Sequence, residues 1–166
     1  ANCNNTTGVD LTTYDGGAII IKNCSANINN CYFAGNKAFD RSGGVLFAVN
    51  NLATFLLLII SNSIFEDNRG RDGTAILIRN NYNCTITNSV FYKNYTSSGF
   101  GNGGAISTDG ALNMLIMNST IADNISSSDV SGVSIRSGTP TSYNVQNSII
   151  WGNQTGNCTA GITVAN

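Results

Sequence analysis

Histidine is absent from this chain of 166 residues, proline occurs once, and only 10% of the residues are charged. The eight Lys and Arg side chains are balanced by nine Asp and Glu, so no excess of positive charge exists to follow nucleic-acid phosphates. The longest apolar run, residues 55–60, is too short to span a bilayer. These shortages argue against nucleic-acid binding and against membrane insertion.

The chain has instead a repeat of about thirty residues. A Gly-rich tetrad starts at Gly16, Gly43, Gly73, Gly103, Gly132 and Gly161. Between these, a tetrad of the form Phe/Ile-x-x-Asn starts at Phe33, Phe65, Phe91, Ile121 and Ile150. A fixed period of this length predicts a solenoid, in which each repeat buries its apolar positions only by stacking on its neighbours.

Within each repeat, apolar and polar residues alternate over short runs that end at Asn, Gly or Ser. This pattern is typical of strands and turns and excludes a helical repeat. We therefore predict an all-β fold, a parallel β-helix of five to six coils. The single domain 1–166 would contain a partial coil at 1–15, five coils at 16–160 and the start of a sixth at 161–166.

Shared parity predicts which columns of residues point into the solenoid. One internal column is expected to contain Ile28, Ile60, Ile86, Ile116 and Val145. A second is expected to contain Phe33, Phe65, Phe91, Ile121 and Ile150. An asparagine column, expected to face inward as a ladder of stacked amides, contains Asn30, Asn62, Asn88, Asn118 and Asn147.

The tetrads also carry a family resemblance. The pairing of GGAI, GGVL, GTAI and GGAI with FAGN, FEDN and FYKN resembles the right-handed parallel β-helix repeats of pectin-lyase-like proteins. It looks most like the repeat pair of the chlamydial polymorphic outer-membrane proteins. The resemblance spans residues 16–164 and implies a right-handed coil. For function it implies a range from lyases and hydrolases to adhesins and structural spikes.

Asparagine glycosylation motifs are unusually frequent. The motif Asn-x-Ser/Thr occurs at Asn4, Asn5, Asn23, Asn83, Asn94, Asn118, Asn124, Asn153 and Asn157. The predicted glycan acceptors, which lie in turns or outside the asparagine columns, are Asn5, Asn23, Asn83 and Asn157. Asn118 is expected to face inward without a glycan. The column of Asn94, Asn124 and Asn153 suits either an internal amide ladder or a line of glycans; the ladder is favoured because glycans about 5 Å apart would crowd one another.

The five cysteines are accompanied by no C-x-x-C pair and no histidine, which argues against a metal site. They fit a secreted protein with few disulfides, and hence an extracellular or cell-surface location. One repeat before Cys31 lies near Cys3, so a Cys3–Cys31 disulfide is expected, with Cys24 as the competitor for either partner. The odd count leaves one thiol over, and Cys158 is the candidate for a bond to another chain.

Catalytic residues are not expected. The densest charged stretch is residues 66–72, which we interpret as a solvated turn with self-paired charges. Asp67, Lys93 and Asp123 occupy one column, and Arg79 and Asp109 another, so cross-coil ion pairs account for both. We expect no enzymatic activity, no cofactor and no metal.

Three coils place an apolar residue on what parity predicts to be a solvent face of the solenoid. These residues are Ile20, Phe47 and Leu77. Two interpretations remain open: the extra residues of the long second coil, around 52–57, fold over them, or a partner protein does.

Function is predicted from the two ends of the solenoid. Neither end shows a helical cap, and a solenoid exposes an unpaired strand edge at each end. We expect Gly161, Ile162 and Val164 of one subunit to stack on residues 2–15 of the next, which would give a head-to-tail homopolymer coated by N-glycans. The alternatives are a segment of a large surface adhesin and a polysaccharide-binding or lyase-like module.

Overall fold

The computed structural model describes residues 16–38, 42–96, 103–110, 113–127, 130–137, 142–156 and 163–165. These residues form short strands joined by turns, and every strand pairing is parallel. Throughout the described ranges there is no helix of the length and apolarity needed to cross a membrane. The predicted all-β parallel β-helix is confirmed, with about four turns against the five to six coils expected.

Three parallel sheets form the wall of the solenoid. The first sheet contains β1 (Ile19–Lys22), β4 (Leu46–Val49), β8 (Ile76–Arg79), β12 (Ile106–Asp109) and β15 (Val133–Ser137). The second contains β2 (Ala26–Asn29), β5 (Leu56–Ser61), β9 (Tyr82–Thr87), β13 (Asn113–Met117), β16 (Ser142–Gln146) and β18 (Thr163–Ala165). The third contains β3 (Tyr32–Ala34), β6 (Ile64–Glu66), β10 (Val90–Tyr92), β14 (Thr120–Ala122) and β17 (Ile149–Trp151). Two further strands, β7 (Arg69–Gly70) and β11 (Tyr95–Thr96), pair with each other.

Equivalent residues of successive coils stand opposite one another. In the second sheet Ile28 pairs with Ile60 and Ile60 with Ile86. In the third sheet Phe33 pairs with Phe65 in the same way. Because neighbouring strands are about 4.8 Å apart, like side chains stack into columns along the solenoid. The sequence period is therefore the length of one coil.

Both predicted internal columns lie in the core. Every member of the aliphatic column is buried, and so are the first four members of the aromatic column. Ile150, in the last coil, is only partly buried. The rings of Phe33, Phe65 and Phe91 stack with centroid separations of 4.9 and 4.6 Å. The two core predictions are confirmed.

The chain turns from the second to the third sheet at an asparagine in the left-handed conformation. These five residues, which we call the corner asparagines, have φ between 47° and 55° and are Asn30, Asn62, Asn88, Asn118 and Asn147. Asparagine tolerates this conformation because its short polar side chain bonds locally. All five are exposed, so the inward ladder predicted for them is wrong. A left-handed residue interrupts the alternation of strand sides, and parity cannot be counted across it.

Glycine is required where the coil returns to the first sheet. A Cβ atom on Gly44 would overlap the carbonyl oxygen of Thr74 in the next coil. Gly43 has φ of 71°, which also favours glycine. The Gly-rich tetrads thus allow the closest backbone approach between coils.

The outer side of the first sheet is largely covered. Leu77 is fully buried, Phe47 is buried under the guanidinium of Arg79 at 5.5 Å from its ring centroid, and only Ile20 is half exposed. In the loop at 52–57, Leu52 and Phe55 are themselves exposed. Apolar surface is therefore found around β5 rather than at Phe47 and Leu77.

Candidate interaction surfaces and the asparagine ladder

The last residue of each Phe/Ile-x-x-Asn tetrad belongs to a buried column. We call this column the asparagine ladder, and it consists of Asn36, Asn68, Asn94, Asn124 and Asn153. In each coil the side-chain Nδ2 donates to Oδ1 of the next asparagine, over 2.9, 2.9, 3.0 and 2.9 Å along the chain. The backbone amide of each donor bonds to the same Oδ1. The ladder thus connects all five described levels.

Asn94 shows how completely each amide is used. Its Nδ2 donates to Oδ1 of Asn124 and to the carbonyl oxygen of Phe65, at 3.0 and 2.9 Å. Its Oδ1 accepts from the amide and from Nδ2 of Asn68, at 3.1 and 2.9 Å. A glycan on such a nitrogen would have no space and would break the ladder. Of the two alternatives for this column, the internal ladder is confirmed.

The ladder has a direction, and its first member carries an unused acceptor. Each bond between two ladder amides runs from Nδ2 in one coil to Oδ1 in the next coil toward the C-terminus, so Oδ1 of Asn36 would accept from a coil preceding it. That oxygen is buried and has no hydrogen-bond partner. A buried polar atom without a partner costs free energy, so an amide donor is favoured here.

Strand β17, at the C-terminal edge of the third sheet, has the most exposed large apolar side chains among the described strand residues. Ile149 is 62% and Trp151 69% exposed, and the core residue between them, Ile150, is only partly buried. The amide of Ile149 donates to the carbonyl of Ser119 and the carbonyl of Trp151 accepts from the amide of Asp123, the two residues that flank β14. In a parallel ladder the polar groups of Ile150 therefore point to the other edge. No described strand pairs with that edge. At the opposite end of the same sheet Phe33 is already buried.

The outer side of the third sheet carries a second column of apolar residues. This outer column consists of Tyr32, Ile64, Val90, Thr120 and Ile149, which are paired directly across the strands. Tyr32 and Ile64 are 39% and 41% exposed. The Tyr32 hydroxyl donates to Glu66 at 2.7 Å, and this bond raises its pKa. Apolar surface stacked in one line is a candidate for cover by another group.

The predicted glycan acceptors differ in their surroundings. Asn23 lies at a left-handed turn, half exposed, and its Oδ1 accepts from the amide of Asn51 at 2.8 Å. Asn83 lies within β9, half exposed, and accepts from Nδ2 of Asn113 at 2.8 Å. Asn5 and Asn157 lie outside the described residues. Asn118, expected to face inward, is instead an exposed corner asparagine.

The charged turn at 66–72 is not the fully solvated loop expected from the sequence. Asp72 is buried and pairs with Arg71 at 3.3 Å and with Arg136 at 3.2 Å. The predicted cross-coil pair of Arg79 and Asp109 is present at 3.3 Å.

The column of Asp67, Lys93 and Asp123 does not form the cross-coil ion pairs expected from the sequence within the described residues. Lys93 lies over the ring of Tyr92, 4.9 Å from its centroid, and its hydrogen bond with Tyr92 raises the lysine pKa. Within the described ranges no ion pair joins Lys93 to Asp67 or Asp123. Nor do three His, Cys, Asp or Glu side chains come together there as a metal site requires.

The cysteines occupy contrasting positions. Cys24 is exposed, whereas Cys84 is buried in the second sheet, where desolvation raises the thiol pKa to about 12. No disulfide joins any two cysteines of the described residues. Cys3 and Cys158 lie outside those residues, and so do the assembly residues Gly161 and Ile162. Val164 lies in β18 and pairs with Val145 of β16.

Comparison with protein-family models, with curated proteins and with solved structures gives no match to this chain. The parallel solenoid is therefore established by the strand pairing alone.

Proposed function

We propose that this chain is a non-enzymatic extracellular structural protein, a β-solenoid that stacks head to tail with copies of itself. The observation that supports this most directly is the edge at β17, where an apolar core residue is only partly buried and no described strand pairs with the outer edge. The repeat tetrads favour the finer assignment, a right-handed helix of the pectin-lyase-like kind that resembles the chlamydial polymorphic outer-membrane proteins.

Stacking would continue the interactions that already hold successive coils together. A strand of the next copy would pair with the amide and carbonyl of Ile150, as in strand addition to a sheet edge. Its inward side chain would cover the exposed part of Ile150, and burial of apolar area contributes about 25 cal/mol per Å². The first and second sheets would be extended from β15 and from β18, which contains Val164.

The asparagine ladder supports one orientation of this stacking. An amide donated from the C-terminal end of one copy to Oδ1 of Asn36 in the next would preserve the direction of every bond in the ladder. The reverse orientation would place two ends of the same kind together. Head-to-tail contacts do not close on themselves, so the product is a filament.

Removing the backbone amide of Ile150 tests the proposal. Ile150→Pro removes the N–H that points to the open edge but leaves the bonds of Ile149 and Trp151 to the residues that flank β14 intact. Ile150→Val keeps the N–H and serves as the matched control. Sedimentation velocity over a concentration series should show that wild type and Ile150→Val associate and that Ile150→Pro does not. Circular dichroism should show the same strand content in all three proteins.

Two results would overturn head-to-tail assembly. One is a wild-type chain that remains monomeric at every concentration, which would favour the adhesin-segment alternative. The other is a folded Ile150→Pro variant that associates as well as wild type, because association would then use another surface.

A further inference from the structure

We propose that Asn118 carries an N-linked glycan that covers the outer column of the third sheet, whereas the motifs at Asn94, Asn124 and Asn153 remain unmodified. This inference rests on the extracellular location in the proposed function but not on assembly. It reverses the expectation drawn from sequence parity, because the structure places Asn118 on the surface.

The informative residue is Thr120 rather than Asn118 itself. All five corner positions are asparagine, and the left-handed turn accounts for that without any glycan. The residue two positions later belongs to the outer column, which reads Tyr32, Ile64, Val90, Thr120 and Ile149. The one Ser or Thr of this column therefore occurs in the coil where it completes a glycosylation motif.

The local geometry leaves Asn118 accessible. Ser119 points inward, accepts from the amide of Ser89 at 3.1 Å and donates to the carbonyl of Met117 at 2.8 Å. Asn118 itself is exposed and Thr120 is partly exposed. The corner asparagines Asn62 and Asn88 are hydrogen-bonded to each other through their side chains at 3.4 Å. Within the described part of the chain the Asn118 side chain forms no such bond, so its Nδ2 is available.

The column arrangement also avoids crowding. Successive corner asparagines are about 4.8 Å apart, too close for a glycan on each. Asn88 and Asn147 are followed two residues later by Val90 and Ile149, so neither is an acceptor. A single glycan at Asn118 would therefore have free space on both sides. It would lie beside Val90 and Ile149, the latter 62% exposed, and reduce the apolar surface open to lateral contacts.

The chemistry is ordinary N-glycosylation with a lipid-pyrophosphate-linked oligosaccharide as the donor. Nδ2 of Asn118 bonds to C1 of the first sugar while the C1–O bond to the pyrophosphate breaks. The lipid pyrophosphate leaves, and Nδ2 loses one proton. The hydroxyl of Thr120 is the group by which the transferase recognises the motif.

The test uses the full chain, secreted from a eukaryotic host. The soluble protein is deglycosylated by a peptide N-glycosidase in heavy-oxygen water, which marks each formerly glycosylated asparagine, and peptides are sequenced by mass spectrometry. Wild type should carry the mark at Asn118 and lack it at Asn94, Asn124 and Asn153. Thr120→Val should lose one glycan mass, whereas Thr120→Ser should keep it.

A gain-of-site variant provides the matched control. Val90→Thr combined with Thr120→Val places a hydroxyl two residues after Asn88 and removes the one after Asn118, so the single glycan should move from Asn118 to Asn88. Thr120→Val resembles the natural residue of the neighbouring coil, so it should fold and be secreted like wild type. Removing the glycan from folded wild type should increase its binding of a hydrophobic dye.

The outcomes separate this inference from the proposed function. An unmodified Asn118 with glycans at Asn23 or Asn83 overturns the inference and leaves the extracellular glycoprotein standing. A folded, secreted chain without any glycan overturns the inference and the expected glycan coat, whereas head-to-tail assembly is decided separately by the sedimentation of wild type and Ile150→Pro. Marks on the ladder asparagines of the folded protein also overturn the inference, since the buried ladder would then not be the barrier we infer.

Discussion

The two sides of the third sheet differ sharply although the same strands build both. In β6, Phe65 points inward, is fully buried and stacks between two other phenylalanines, while its neighbour Ile64 points outward and is 41% exposed. Inward residues of a solenoid are constrained by the coils on both sides, whereas outward ones stack on each other only at their edges. The inner side should therefore control stability, and the outer side interactions.

The largest difference in the free energy of unfolding should appear between Phe65→Ala, on the inner side, and Ile64→Ala, on the outer side. Phe65 lies in the middle of the aromatic column, so its truncation leaves a cavity that neighbouring coils cannot close and should cost about 3–5 kcal/mol. Ile64→Ala should cost less than about 1 kcal/mol, because the side chain is already partly in water. Urea unfolding of both variants measures the difference. Equal costs would contradict the distinction between the two sides.

The buried ladder asparagines and the exposed corner asparagines should show the same contrast, with a smaller difference in the free energy of unfolding. Asn94→Ala removes a side chain that serves Asn68, Phe65 and Asn124, and should cost about 2–3 kcal/mol because buried polar groups lose their partners. Asn88→Gly, at the exposed corner, should change the free energy of unfolding by only a few tenths of a kcal/mol, since glycine accepts the left-handed conformation. Urea unfolding provides the measurement, and a corner variant as damaging as the ladder variant would refute this account.

The smallest expected effect on stability at neutral pH comes from the buried thiol of Cys84, which affects stability only at alkaline pH. Because burial raises the pKa of Cys84 to about 12 from an ordinary value of 9.0, the unfolded chain releases this proton before the folded chain does. The free energy of unfolding should fall as pH rises through this window, and Cys84→Ala should remove part of the slope.

The rest of that alkaline slope belongs to Tyr82 and Tyr143, whose pKa values burial also raises. Below this window a thiol reagent should modify exposed Cys24 rapidly and Cys84 only on unfolding. Rapid modification of Cys84 in the folded chain would contradict its burial.

Much of the fold could be predicted from the sequence because each coil repeats the same spacing. The columns of Ile60 and Phe65 were predicted from parity shared across five repeats, and each column lies within strands, where alternation is strict. The ladder at Asn94 was favoured over glycans because the spacing between coils would crowd them. Each of these arguments depends on distances that strand geometry fixes before any tertiary detail is known.

The errors arose where the chain turns. The inward position predicted for Asn118 was wrong because the left-handed corner breaks the alternation between the second and third sheets. The burial of Leu77 on the outer side of the first sheet was only one of two interpretations left open by the sequence, since cover by other parts of the chain leaves no periodic signal. The turn signal at Asn118 was available, because asparagine occupies that position in every coil, but it was interpreted as an internal column.

Electron microscopy of the purified chain at high concentration tests the central claim most directly. Head-to-tail stacking predicts filaments whose wall shows the strand spacing of about 4.8 Å along the axis and whose subunit repeat is on the order of 25–30 Å. Isolated particles, or arrays formed by contact of the outer columns side by side, would contradict it.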